Sequence, residues 1–228
     1  MAAACPSRRL SRRGLLGGAA SAAVGSILGR PLHAQTWSSP VESMFEMRRK
    51  NTVVQEYDLS CGAAALATVL RYQHGDNVSE KELVRALISR DIYIENPELV
   101  QVREGFSLLD LKRVAEARGY VGIGYGNLTL EEALTIAPVI TPISPADYNH
   151  FVVLIGQVGN SVQVVDPAFG NTTMSARRFQ REWIDFPNIG HVGFVVARSD
   201  DPDPPGDLVP DPRVFTTPPP GYIRNSLF

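Results

Sequence analysis

Residues 62–70 read Gly-Ala-Ala-Ala-Leu-Ala-Thr-Val-Leu, a run with no charge and no large polar group. A surface helix keeps a polar stripe for solvent, so a helix without one must be enclosed by protein on every side. The rest of the fold has to pack around this stretch. Just upstream, Asp58 or Ser60 can act as the N-cap, which puts Cys61 in the first turn. Unpaired backbone N–H groups and the helix dipole favour negative charge there, and a thiol so placed gains thiolate character. Six residues earlier, Gln55 brings a side-chain amide toward the same point. A thiolate, its own backbone N–H and a glutamine N–H make a nucleophile with an oxyanion hole.

The N-terminus reads as an export signal over residues 1–34. Arg8, Arg9, Arg12, Arg13 and Arg30 are its only charges, and the first acid is Glu42. Ser11-Arg12-Arg13-Gly14-Leu15-Leu16 is a twin-arginine pattern, followed by a Gly/Ala-rich apolar run and by Pro31-Leu32-His33-Ala34 as a cleavage site before Gln35. Leu15 stands where an aromatic is commoner and Gly17 where lysine is frequent, which leaves the Tat and Sec routes both open. The run is short for a membrane span, and no later apolar stretch is long enough for one. A periplasmic or secreted location is expected.

Signal removal takes five of the 22 basic residues and none of the 24 acidic ones, leaving 17 against 24 and a net charge of −7. That balance argues against nucleic acid or an anionic membrane as partner. Of the two cysteines, Cys5 leaves with the signal, so Cys61 has no partner for an internal disulfide. Such a cysteine is either a small buried hydrophobe or a free reactive thiol, and its place in the first turn favours the second.

Four segments follow in order: the signal, a lead-in over 35–51 with a short helix around 44–50, a catalytic domain over 52–198, and a tail over 199–228. Ser79-x-x-Glu82, Ser107-x-x-Asp110 and Thr129-x-x-Glu132 are capping boxes that open three more helices. Residues 91–104 read as irregular around Pro97. In the second half, 139–143 is extended, and 151–155 and 161–165 are apolar β runs separated by Gly156-Gln157-Val158-Gly159-Asn160, a hairpin signature. A helix near 176–183 and a strand over 192–197 complete the domain. Helices first and antiparallel strands after define an α+β class with a helical N-terminal lobe and a sheet-based C-terminal lobe. The tail, with Pro202, Pro204, Pro205, Pro210, Pro212 and Pro218-Pro219-Pro220, reads as disordered or polyproline.

The hairpin supplies a base. His150 immediately precedes one strand and Asp166 immediately follows the other, equidistant from Val158, so antiparallel pairing sets them opposite each other on one face. An imidazole with an adjacent carboxylate is the base and orienter of a triad. His74 lies in a polar loop, and His191 opens a strand without an obvious acidic partner. The wide spacing of histidines and cysteine gives no metal site, no cofactor motif is present, and there is no P-loop.

Four ordered motifs carry a family resemblance: Gln55 with Ser60-Cys61-Gly62-Ala63-Ala64, Gly105-Phe106-Ser107-Leu108-Leu109-Asp110-Leu111-Lys112, Asn149-His150-Phe151-Val152-Val153-Leu154, and Val165-Asp166-Pro167. Over residues 53–197 the chain resembles the bacteriocin-processing peptidase C39 family. The resemblance implies a papain-like fold that cleaves leader peptides after Gly-Gly, with Cys61 as nucleophile, His150 as base, Asp166 as orienter and Gln55 as oxyanion donor. Much of that family is fused to an ABC transporter. This chain shows neither the membrane domain nor the ATPase and is closer in layout to exported stand-alone relatives, one of them associated with functional-amyloid secretion. The partners it implies are a peptide or protein substrate and an export apparatus. Besides an exported thiol peptidase, a thiol amidase or transpeptidase and a silent peptide-binding domain fit the same residues.

Overall fold

The computed structural model describes residues 42–200 and 206–213. The export signal expected over residues 1–34 lies outside the described residues. The helical part comprises α1 (Met44–Arg49), α2 (Cys61–Tyr72), α3 (Glu80–Ile88), α4 (Asp91–Glu95), α5 (Leu99–Val102) and α6 (Leu108–Ala117). The sheet part comprises β1 (Val121–Tyr125), α7 (Leu130–Thr135), β2 (Val139–Ile143), β3 (His150–Val158), β4 (Ser161–Asp166), β5 (Gly170–Ser175), α8 (Ala176–Glu182), β6 (Asp185–Phe186), β7 (Gly190–His191) and β8 (Gly193–Ala197). This is the α+β arrangement of a helical lobe followed by an antiparallel sheet.

The six-stranded sheet has the order β1-β8-β2-β3-β4-β5, and every paired neighbour is antiparallel. Its central strands are buried on both faces, which is why their sequences are continuous apolar runs without alternation. On one face Ile140, Val153, Ile155, Val165, Phe194 and Val196 pack with α2, α3 and α6. On the other, Val139, Ile143, Val152, Leu154, Val162 and Val164 pack with Phe179 and Trp183. All residues from Cys61 to Leu70 of α2 are buried, as a helix with no polar stripe requires. Gly62 allows its close approach to the sheet: a Cβ there would lie 3.2 Å from the Phe151 ring and 3.4 Å from Leu111.

The capping boxes at Ser79, Ser107 and Thr129 are formed, and a fourth opens α1 at Ser43. Asp110 has a further task. Buried, it accepts from the backbone and hydroxyl of Ser107, from Arg90 and from the Tyr93 hydroxyl, which binds α4 to α6.

Two readings need correction, and one strand was not anticipated. Residues 91–104 are not irregular but form α4 and α5, two short helices divided at Asn96 and Pro97. A strand of polar character, β5, pairs along the whole of β4. It borders the lead-in, where the Asn171 amide donates to the Lys50 carbonyl at 2.6 Å. The tail is not wholly an unpacked polyproline segment, for residues 206–213 lie against the domain. Leu208 is buried in the core with α2, the Asp207 N–H donates to the Tyr72 carbonyl at 2.8 Å, and the Asp211 N–H donates to Gln163 Oε1 at 2.9 Å. An inserted leucine, hydrogen bonds through Asp207 and Asp211, the Asn51 amide on the Asp207 carbonyl and an Arg213–Glu42 ion pair hold a segment whose composition forms neither helix nor strand. Among the described residues no helix is long and apolar enough to cross a membrane.

Candidate active site

Cys61 is the first residue of α2, and Ser60 occupies the N-cap position. The cap is unusual in that the Ser60 hydroxyl accepts nothing from the first turn. It faces the Tyr57 carbonyl at 2.6 Å and the buried carboxylate of Glu80 instead. The N–H groups of the first turn are therefore left without a side-chain cap, beside the thiol. Leu59, just before, has φ 62°, a left-handed conformation that a non-glycine residue adopts only when its surroundings impose it. Part of that constraint is Gly105, with φ 126°, where a Cβ would lie 2.9 Å from the Leu59 carbonyl. The glycine of the Gly105-Phe106-Ser107 motif thus makes room for the turn that presents the cysteine.

His150, the first residue of β3, and Asp166, the last of β4, are joined by a 2.8 Å hydrogen bond from Nε2 to Oδ1. The expected register, with the two directly opposed about Val158, is not the observed one. The turn lies at Gly159-Asn160, with Val158 opposite Ser161 and Gly156 opposite Gln163. Carried on unbroken, that ladder would set Asp166 opposite Val153, on the face away from His150. An irregularity between Leu154 and Gly156 inserts one residue, so that beyond it Leu154 faces Val164 and Val153 faces Val165. Asp166 then aligns with residue 152, two from His150 on the same face, and the bond is diagonal. Oδ1 also accepts from the N–H groups of Ala168 and Phe169, at 2.7 and 3.2 Å, which fixes the carboxylate.

With Nε2 committed to Asp166, Nδ1 is the ring nitrogen left for Cys61. It is buried and makes no closed hydrogen bond in the resting geometry. Thiol and ring are nonetheless neighbours. Burial opposes a charge on the ring, but the hydrogen bond to Asp166 and the nearness of Asp166 and Cys61 outweigh it, pushing His150 up to about 9. At neutral pH the ring is an imidazolium beside the sulfur. A pair of this kind can attack a carbonyl with the sulfur and return a proton to a leaving group.

Gln55 is anchored through its main chain, whose N–H donates to the Pro167 carbonyl at 2.9 Å. That bond ties the approach to the cysteine to the loop following Asp166. The side-chain amide makes one long contact, Nε2 to the Tyr57 carbonyl at 3.5 Å, and Oε1 is buried without a hydrogen-bond partner. The amide is thus not locked by its surroundings.

Cys61 and His150 open onto a cleft of about 650 Å³ whose walls are mostly apolar, with Phe106, Leu109, Phe186 and Ile189 among them. The β6-β7 hairpin forms one wall. It has only two paired positions, Asp185 with His191 and Phe186 with Gly190, too short to announce itself as strands in the sequence. Across the cleft mouth the Asn149 amide donates to Glu104 Oε2 at 2.8 Å. Glu80 and Glu104 also went unsingled in the sequence, where each reads as an ordinary surface acid. Of the other described histidines, His191 stacks on Trp183 with centroids 4.7 Å apart, and His74 Nε2 lies 3.0 Å from the Val196 carbonyl.

A helix-borne cysteine facing a histidine on an antiparallel sheet across a cleft defines a papain-like cysteine peptidase. The Peptidase C39 family model matches residues 49–186, and the chain belongs to that family. It is 33% identical over 187 residues to a probable functional amyloid protease, FapD, of Pseudomonas aeruginosa, covering 82% of this chain and 75% of that one. The corresponding protein of Pseudomonas fluorescens is 36% identical over 144 residues, covering 63% of this chain and 61% of its own. Among solved structures, the peptidase domain of Streptococcus ComA, a bi-functional ABC transporter, aligns with a TM-score of 0.50 and 21% identity. That alignment covers 65% of this chain and 99% of that domain.

Proposed function

We propose that this cysteine peptidase acts after export, in the periplasm or outside the cell, and cleaves a peptide bond after a Gly-Gly pair in a leader-type or secretion-system substrate. The observation that carries the catalytic reading is the buried His150–Asp166 bond beside Cys61 at the start of α2. Cys61 sulfur attacks the carbonyl carbon, and the carbonyl π pair moves to oxygen. The N–H of Cys61 and the Gln55 amide hold that oxyanion. The His150 imidazolium, held by Asp166, gives its proton to the leaving amine, and the C–N bond breaks to leave a thioester. The neutral ring then takes a proton from water, whose oxygen attacks the thioester, and the sulfur leaves as thiolate.

The apolar cleft suits apolar side chains on the substrate, with glycines where the chain passes the thiol. The likeness to FapD supports a substrate in functional-amyloid secretion, delivered with the help of an export apparatus. The twin-arginine stretch supports export. The test is mass spectrometry of a periplasmic extract incubated with purified protein and with Cys61→Ala. New termini following Gly-Gly with the wild type alone support the reading; a peptide bound by both proteins and cut by neither favours a silent binding domain.

A further inference from the structure

Glu80 is buried, and among the described residues no lysine, arginine or histidine pairs with it. Its partners are the Glu56 N–H, 2.9 Å from Oε2, and the Ser60 hydroxyl. Enclosing a carboxylate without a countercharge costs stability, and an apolar residue at the start of α3 would serve packing better. The two groups it holds are the two ends of one short turn. Glu56 follows Gln55, and Ser60 precedes Cys61. Between them lies Leu59 in its left-handed conformation.

We propose that Glu80 is a positioning residue for the oxyanion-binding side of the site, acting through this turn. It touches neither substrate nor the reacting atoms. By gripping residues 56 and 60 together it sets the distance and angle between the Gln55 amide and the Cys61 N–H. Its bond to Ser60 draws that hydroxyl away from the first turn, so the N-cap side chain does not compete with an oxyanion for the exposed N–H groups. The Gln55 amide, with its single 3.5 Å bond, has no other side-chain restraint to set its direction. This inference rests on the reading of Cys61 as a nucleophile with Gln55 opposite.

Two reagents separate the roles. Iodoacetamide alkylates the thiol by displacement at a saturated carbon and makes no oxyanion. A glycyl-glycinal peptide aldehyde adds reversibly: the sulfur bonds the aldehyde carbon and the π pair moves to oxygen, giving a tetrahedral oxyanion with no leaving group. In the full chain, Glu80→Ala is expected to weaken aldehyde inhibition of iodoacetamide labelling by roughly 10- to 100-fold, while the uninhibited labelling rate changes less than about threefold. Glu80→Gln, which can accept from Glu56 and donate to Ser60, should recover most of the affinity. Ser60→Ala, which cuts one end of the grip without emptying the Glu80 site, should show the same split at smaller size and decides the matter if Glu80→Ala does not fold. Unchanged aldehyde affinity in these variants, or labelling that falls in parallel with it, overturns the inference. Slow labelling of the wild-type thiol itself would instead overturn the nucleophile reading. Because the assay needs no turnover, it separates the two failures.

Discussion

The two sides of the cleft are held by unlike means. The histidine side is part of a sheet: His150 and Asp166 end adjacent ladder strands, and the register with its one-residue irregularity decides that they meet. The cysteine side is a turn with no ladder beneath it, held by Leu59 in a left-handed conformation, Gly105 against its carbonyl, Glu80 at both ends and Gln55 tied to Pro167. A ladder spreads its restraint over many bonds, whereas the turn depends on a few contacts, each of which bears on the angle of the attacking group. Stability should thus be concentrated on the first side and sensitivity of rate on the second.

The sharpest break should come from the reacting groups. His150→Ala is expected to lower kcat by up to about 10⁴, the upper range for loss of a general acid and base, with the fold retained. With the proposed oxyanion role, Gln55→Ala should lower kcat by roughly 10²–10³, with KM little changed, because such a donor acts on the transition state and not on the resting carbonyl. Steady-state kinetics on a cleaved peptide reads both.

A pair of substitutions away from the reacting atoms tests the contrast itself. Phe179→Ala, in the core where α8 packs on the sheet, should cost about 3–5 kcal/mol of stability by leaving a cavity, yet leave kcat of the folded protein near wild type. Gly105→Ala forces a side chain into a φ of 126° against the Leu59 carbonyl. It should cost less, about 1–3 kcal/mol, and still reduce kcat markedly. Denaturant titration alongside kinetics checks both. The opposite ranking would dissolve the distinction between the two sides.

The smallest effect concerns pH. A His150 pKa of about 9 predicts an alkaline limb of kcat/KM near that value, where the imidazolium is lost. The sign for stability follows, since the raised value means the folded chain holds this proton more tightly than the unfolded one. That contribution is complete below about 6.5 and fades as pH rises through about 9. Asp166→Asn removes a cause of the rise, so the limb should move to lower pH, with kcat reduced more than binding. A limb that stays in place would mean Asp166 does not hold the charged ring.

Much of this was legible in residue types. The buried helix followed from nine residues without a polar face, the three helix starts from their capping boxes, and the His150–Asp166 pairing from two apolar runs about a turn. Where the reading failed, the determining contact was nonlocal or the pattern too short. Direct opposition about Val158 assumed a regular ladder, and an irregularity depends on packing from both faces. The polar Gly-Asn-Thr-Thr-Met-Ser of β5 lacks the alternation that betrays a half-buried strand, because its inward amide is satisfied by the lead-in. Residues 206–213 adhere through one buried leucine and a few long-range hydrogen bonds, within a composition that otherwise signals no packing. Glu80 stands beside the Ser79-x-x-Glu82 box as one more acid in the first turn of a helix, and nothing local distinguishes it from its solvated neighbours.

The central claim is that Cys61 is a thiol activated by its helix terminus and by His150, rather than a buried core residue. The most direct measurement is the rate of Cys61 alkylation by iodoacetamide against pH, in the native protein and in His150→Ala. The account predicts rapid labelling of the native protein and clear weakening in the variant. Labelling that appears only after denaturation, or that is indifferent to His150, would contradict it.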